Sequence, residues 1–208
     1  MKKIKNIAIM ATSGGAGKDT IADYIVNKLS MNTYYKQALG KPIHEIAEKF
    51  VNGSVERHHL QDLGESMRAI FDENVWMRYL DNCHKSSAKG LVIPDVRKLI
   101  EFSHYCVEHV FAPLYVRVDR DVAKIRLEAR DGGYNDKDLK RGIEKQLNFI
   151  EELPSKQVDN TGLSKVDLPN TPFNNVYIIN NSGRLETTYS QVDAWWERVI
   201  ENGSNTRD

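Results

Sequence analysis

The stretch Thr12-Ser13-Gly14-Gly15-Ala16-Gly17-Lys18-Asp19-Thr20 decides how this chain is read. An apolar run from Ile4 to Ala11, interrupted by Lys5 and Asn6, precedes it and reads as a β-strand. Ile21, Ala22, Ile25, Val26 and Leu29 follow at helical spacing. A glycine-rich turn between strand and helix, closing on Gly-Lys, is the layout of a phosphate-binding loop. Glycines let the backbone curl without Cβ clashes, so successive N–H groups converge on an anion. The helix adds the positive end of its dipole, and Lys18 can reach the outer phosphates of a nucleotide. The usual pattern has Gly at position 12 and Ser or Thr at 19, where this chain has Thr12 and Asp19. The Asp19 carboxylate can hold magnesium directly or through water, and Thr20 offers a hydroxyl one residue later. The competing reading is a glycine-rich turn that binds nothing; its place between first strand and amphipathic helix argues against that.

A chain of 208 residues suits one domain, or one core with an inserted lid, and 40% apolar content supports a sizeable core. The formal net charge is zero, so no global field draws the chain to nucleic acid or to a membrane surface. Any anion site must come from local clustering. Cys83 and Cys106 fall in separate predicted helices with no His or Cys at metal-ligand spacing, and are expected to be reduced and structural. No signal peptide and no apolar run of transmembrane length is visible, so a cytoplasmic protein is expected.

Strand and helix patterns alternate, which predicts an α/β fold around a mostly parallel sheet. Five strands are expected, at Ile4–Ala11, Thr33–Gln37, Leu91–Ile93, Leu114–Val118 and Val176–Ile179. Helices are expected at Lys18–Ser30, Pro42–Val51, His58–Phe71, Asn74–His84, Lys98–His109, Asp121–Arg130, Lys137–Leu153 and Leu185–Ile200. In the last of these Leu185, Tyr189, Val192, Trp196, Val199 and Ile200 share one side and read as a core-facing stripe. The polar stretch from Pro154 to Asn175 reads as a long loop. Basic residues gather between Arg117 and Arg141. The ordinary reading is a solvated helix face, but a lid closing over phosphates needs such a cluster.

A second chemical cluster is Leu91-Val-Ile-Pro-Asp95-Val-Arg97. An acid at the carboxyl end of a buried strand sits where ligands bind in open α/β sheets, and Asp95 there can assist magnesium or hold an acceptor. Arg97 can fork onto a phosphate. The competing reading is that Asp95 caps the following helix and Arg97 is solvated. Glu101, one turn on, can orient Arg97 or touch a sugar. Farther upstream, Arg57 and Arg68 can meet an anion and Trp76 can cover a base. His58 and His59 are adjacent, do not share a helix face, and are not read as a metal site.

Together these segments resemble the deoxynucleoside monophosphate kinases of bacteriophages. That family's loop runs Ser-Gly-x-x-x-x-Gly-Lys-Asp-Thr and continues with an Ala-Asp pair, like Ala22-Asp23 here. Ala38-Leu39-Gly40-Lys41-Pro42-Ile43, Gln61-Asp62-Leu63-Gly64, Trp76, Ile93-Pro94-Asp95-Val96-Arg97 and Ile179-Asn180-Asn181-Ser182-Gly183 match further elements in the same order. The resemblance implies a three-layer α/β/α P-loop kinase fold, a single domain over 1–208 with a lid in about 119–172 and an acceptor-binding helical region at 41–90. It implies transfer of the γ-phosphoryl group of ATP to a nucleoside monophosphate, with Mg2+ held by Asp19 and Asp95. Gly15, Ala16, Gly17, Lys18, Asp19 and Thr20 would hold the ATP phosphates, and Asn181 would lie near the adenine. Arg57, Arg68, Trp76, Asp95, Arg97 and Glu101 would hold the acceptor. Lys18, Arg97, Arg126 and Arg130 would act on the transferring group, the last two from the lid. A homodimer is one assembly the resemblance allows, and a viral chain would work in its host's cytoplasm.

Three alternatives stay open at this point. One is a kinase for another phosphate monoester, since phosphomevalonate kinases of the animal type also carry Gly-Lys-Asp and a strand-end Asp-x-Arg. Another phosphorylates a hydroxyl of a modified base within DNA and would want a basic groove, which zero net charge disfavours. The third is a nucleotide-binding regulator without catalysis.

Overall fold

The structure, a computed structural model, describes residues 5–11, 13–50, 53–85, 87–131 and 146–202. It divides into two compact units, one formed by Met1–Lys36 with Lys89–Asp208 and the other by Gln37–Ala88.

The first unit is built on a sheet of seven strands in the order β2-β3-β1-β4-β7-β6-β5. These are β1 Ile7–Met10, β2 Tyr34–Lys36, β3 Gly90–Val96, β4 Ala112–Arg117, β5 Ser155–Gln157, β6 Ser164–Asp167 and β7 Asn175–Asn180. The strands from β2 through β7 in that spatial order run parallel, and β6 and β5 are added antiparallel at the edge. Central β1 pairs with β3 on one side and β4 on the other, which is why all four of its residues are buried. Ile7, Ile9, Leu114, Val116 and Ile179 join Ile21, Ile25, Val192 and Trp195 in one apolar core. Each such side chain contributes about 1.5–3 kcal/mol by leaving water.

Helix α1, Lys18–Tyr24, continues through a π-helical turn at Ile25–Leu29. Helix α5, Leu99–Phe102, continues likewise through Ser103–Glu108. Helix α6 spans Arg120–Asp131, the short α7 Phe149–Glu152, and α8 Leu185–Trp195, which runs on as a π-helical Trp196–Glu201. The second unit holds α2 Lys41–Phe50, α3 Arg57–Ile70 and α4 Val75–His84. Pro42 falls in the first turn of α2, where its missing N–H costs nothing. Among the described residues both cysteines are free, Cys83 exposed and Cys106 buried.

Three expectations need correction. The sheet has seven strands rather than five, because the presumed loop between Pro154 and Asn175 contains β5 and β6. All of β5 is exposed and β6 buries only Val166, so neither carries the apolar signal of a covered strand. Both also lie within the range expected for the lid. The helix expected at Lys137–Leu153 falls partly outside the described residues, and its described end is α7, with Leu147 and Ile150 buried. In α8 and its continuation the stripe holds for Val192, Trp196 and Val199, which join the core, but Leu185 is 44% exposed and Trp195, outside the stripe, is fully buried. The wider π-helical turn changes the phase of the helix, so that Trp195 and Trp196 both reach the core.

Candidate phosphate-binding site

At the carboxyl end of β1 the chain turns through Ser13–Gly17 into α1. Gly15 and Gly17 have φ of +75° and +84°, the left-handed region that glycine enters without a Cβ penalty. Gly17 is the N-cap of α1 and accepts the Ile21 N–H at 3.1 Å. A helix that starts behind a glycine turn directs the N–H groups of its first turn, and the positive end of its dipole, toward the loop. Lys18 is only 7% exposed, and its ammonium donates to the Ser13 carbonyl at 3.2 Å, across the loop.

Space around the loop is tight. A Cβ on Gly15 would stand 2.7 Å from the Ala123 carbonyl, and one on Gly17 would stand 2.3 Å from Asn181 Nδ2. Helix α6 therefore packs directly on the loop. Leu127 lies against Gly14 and Gly15, and Arg126 Nη1 donates to the Gly15 carbonyl at 3.4 Å. From the other side Asn181, at the end of β7 and 3% exposed, donates from Nδ2 to the Ala16 carbonyl at 2.8 Å. Gly17, Thr20, Arg126, Asn181, Gly183 and Leu185 line a cavity of about 330 Å³, within the usual range for small-molecule sites.

Next to this loop stands the end of β3. The β1–β3 register runs Ala8↔Ile93 and then Met10↔Val96, so β3 spends one extra residue there. Pro94 falls within the irregularity, the place in a central strand where a missing N–H is tolerated. The bulge sets Asp95 one residue before the partner of Met10, near the carboxyl end of β3. The start of the following helix is held by Glu101. Glu101 Oε2 accepts the N–H groups of Arg97 at 2.8 Å and Lys98 at 3.0 Å, from a side chain 6% exposed. Glu101 thus fixes the backbone from which Arg97 projects, and its carboxylate is committed to those N–H groups.

The remaining expected residues fall as follows. Thr20 lines the cavity. Asp19 is turned to Lys36, 3.4 Å away, with its side chain 76% exposed. Arg130 lies one turn beyond Arg126 on α6 and is exposed. Arg57, Arg68 and Trp76 belong to the second unit. Arg57 opens α3; nothing of its side chain is described. Arg68 lies in α3 beside Gly64. Trp76 is 3% exposed and donates its indole N–H to the Gly64 carbonyl at 3.2 Å. Its ring packs within its own unit, with almost no free face. His59 Nδ1 accepts the Glu56 N–H at 3.2 Å, and His58 faces Glu56 at 3.1 Å, so this pair serves the start of α3.

Ala123, Leu127 and Thr188 are not foreseen at this site from the sequence. Their contacts with the loop and with Asn181 depend on where α6 and α8 cross the sheet, which no local pattern carries.

No family model and no curated protein matches the chain. Solved structures do. A gluconokinase from Sinorhizobium meliloti superposes with a TM-score of 0.55 at 14% identity, covering 97% of each chain. A shikimate kinase from Bacteroides thetaiotaomicron superposes with a TM-score of 0.52 at 15% identity, covering 95% of this chain and 99% of its own. A Thermus thermophilus protein gives 0.54 at 17% identity, with 95% and 99% covered. At such identities the likeness is one of fold alone.

Proposed function

We propose that this chain transfers the γ-phosphoryl group of ATP to the phosphate of a (deoxy)nucleoside monophosphate. The observation that carries the phosphoryl-transfer part is the loop itself: two glycines at positive φ, a helix that starts directly behind them, and Lys18 bridging the loop. The kinase neighbours support transfer to a small molecule in general. The nucleotide acceptor rests on the ordered resemblance of Ala22-Asp23, Gln61–Gly64, Asp95–Arg97 and Asn181–Gly183 to the phage enzymes.

Phosphoryl transfer needs positioning and charge neutralisation more than covalent chemistry. The second pKa of a phosphate monoester is about 6, so at neutral pH the acceptor is mostly dianionic and needs no base. Lys18 and the N–H groups of Ala16 to Thr20 would hold the β- and γ-phosphates. Arg126, already on the loop, and Arg130, one turn on, would counter the charge of the transferring group. Arg97, with its backbone pinned by Glu101, would align the acceptor phosphate. Arg57 and Arg68 are proposed acceptor contacts on the sequence resemblance alone. We assign the closing part of the 119–172 region to α6 rather than to β5 and β6.

For Mg2+ the residues at hand are hard oxygen donors of the fitting kind. Thr20 lines the cavity, and Asp95 stands near the carboxyl end of β3, the strand beside β1. These two would hold the ion, with Asp19 as a weaker donor because Lys36 engages it. Bound there, magnesium would withdraw charge from the phosphates.

A second reading, transfer to a hydroxyl of a small acid, is favoured by one observation: Trp76 is buried and offers no platform for a base. Asp95 would then take the hydroxyl proton.

The test is product formation from ATP and magnesium with a panel of deoxynucleoside and ribonucleoside monophosphates, phosphomevalonate, gluconate and shikimate. Lys18→Ala is the control. Diphosphate formed from a nucleotide and lost in the variant is the expected result. Turnover only on a non-nucleotide would move the acceptor assignment. ATP binding with no turnover on any acceptor would leave a regulator.

A further inference from the structure

Buried polar side chains are costly unless each finds a partner. In the first unit three of them converge on one spot. Asn181 is 3% exposed, Thr188 is fully buried and Gln191 is 2% exposed. Gln191 clasps the backbone of Asn180, accepting its N–H at 2.9 Å and donating to its carbonyl at 3.0 Å. The Asn181 N–H donates to the Arg117 carbonyl at 2.8 Å, which anchors the end of β7 to β4. The Thr188 hydroxyl donates to Asn181 Oδ1 at 2.7 Å. The carbonyl of Arg184 is 3.4 Å from the same hydroxyl, and the single proton serves the nearer acceptor.

That bond fixes which way the Asn181 amide faces. With Oδ1 held by Thr188, Nδ2 is directed at the Ala16 carbonyl. Ala16 O and Gly17 N–H belong to one planar trans peptide and point in opposite directions. Holding the carbonyl on Asn181 therefore turns the Gly17 N–H the other way. A side chain at position 17 would run into Asn181 Nδ2, so only glycine leaves room for this contact.

We propose that Thr188, which contacts neither ATP nor acceptor in the reading above, is a positioning residue for the phosphate loop. Acting through Asn181, its hydroxyl sets the Ala16–Gly17 peptide so that the Gly17 N–H is presented to the phosphates. Asn181 thereby works on the phosphate end of the nucleotide rather than at its base. The inference rests on the phosphate-binding reading of the loop.

The experiment measures binding of a fluorescent ATP analogue and its displacement by inorganic tripolyphosphate, which has no base or sugar. Thr188→Val keeps shape and loses the proton; it should weaken tripolyphosphate about tenfold or more. Thr188→Ser keeps the proton and should stay within about threefold of the wild type. Gln191→Leu disturbs the same helix without touching the Asn181 side chain. It should lower the melting temperature yet keep tripolyphosphate affinity within about threefold. Undiminished affinity in Thr188→Val, or an equal loss in Gln191→Leu, would overturn the proposal and leave Thr188 a packing residue. Should Thr188→Val not fold, Asn181→Ser, too short to reach Ala16, must show the same loss, and retained affinity there overturns the proposal as well. A wild-type chain that binds neither probe sinks the phosphate-loop reading itself, an outcome distinct from wild-type binding with an unaffected variant.

Discussion

The Lys36 ammonium at the end of β2 lies 2.7 Å from the Asp23 carboxylate in α1, one turn after Asp19, which it also reaches at 3.4 Å. The pair ties the edge of the sheet to the helix that begins at the phosphate loop. Burial alone would lower the Lys36 pKa, but the bonds to Asp23 and Asp19 outweigh it and the pKa is raised.

Lys36→Met should therefore act on charge more than on stability. Exposed ion pairs of this kind are worth about 0–1 kcal/mol, so the melting temperature should hardly change. Two uncompensated carboxylates beside the loop should weaken ATP binding about three- to tenfold at low salt, less at high salt. Titration with the nucleotide at two ionic strengths checks this; a salt-independent loss would contradict it.

Substitution at the loop glycines should separate space from backbone conformation. Gly162 has φ +89° with open space around it, so Gly162→Ala should cost only the left-handed penalty, about 1–2 kcal/mol. Gly17→Ala meets the same penalty and also Asn181 at 2.3 Å. It should cost more, and should abolish ATP binding, where Gly162→Ala leaves binding intact. Denaturant melts and nucleotide titrations read both.

Lys18→Ala should reduce turnover by about 100-fold or more, the scale seen when a charge-stabilising donor is removed. The fold should survive, since the bond from Lys18 to Ser13 is made within the loop and not to the core. Single-turnover kinetics with circular dichroism as control decide this.

Trp76 should matter for packing. Trp76→Ala should destabilise by about 3–5 kcal/mol. Trp76→Phe should cost about 1 kcal/mol for the lost bond to Gly64 and leave the ranking of acceptors unchanged. A shift in acceptor preference in Trp76→Phe would restore a base-recognition role.

Asp159 anchors the turn after β5 to the last helix through Arg198. Partial burial pushes its pKa up, but hydrogen bonds from Thr161 and Arg198 prevail and the pKa is lowered. A lowered carboxyl pKa gives stability that is present above the ordinary carboxylate value and lost as pH falls through the folded one. The stability difference between wild type and Arg198→Met should thus be constant near neutrality and shrink in acid, below about pH 4. Chemical denaturation across pH 2–7 (about the range of that titration) follows it.

The parallel core was legible because its strands are covered on both faces. Ile7–Met10, Leu91–Ile93 and Val176–Ile179 must be apolar throughout, and a continuous apolar run is visible in any window. Edge strands lack that obligation. β5 is exposed along its whole length and takes its strand conformation from pairing with β6, so its residues carry no mark of it. Leu185 misled for a related reason: residue type shows what a side chain can do, while burial depends on the neighbour that arrives from elsewhere.

The sequence by itself determined the phosphate loop, its glycines and lysine, the alternation of strand and helix, and Asp95 with Arg97 at a strand end. These are local matters, set by backbone freedom, capping and periodicity over a few residues. Only the tertiary structure decided what holds the loop in shape. Arg126 and Leu127 from α6 and Asn181, just after β7, converge on residues 14–17 from more than 100 positions away, and Thr188 from α8 holds Asn181 in place. Such convergence follows from the strand order and the helix crossings, and hydrogen bonds between distant side chains leave no periodic trace in the chain that makes them.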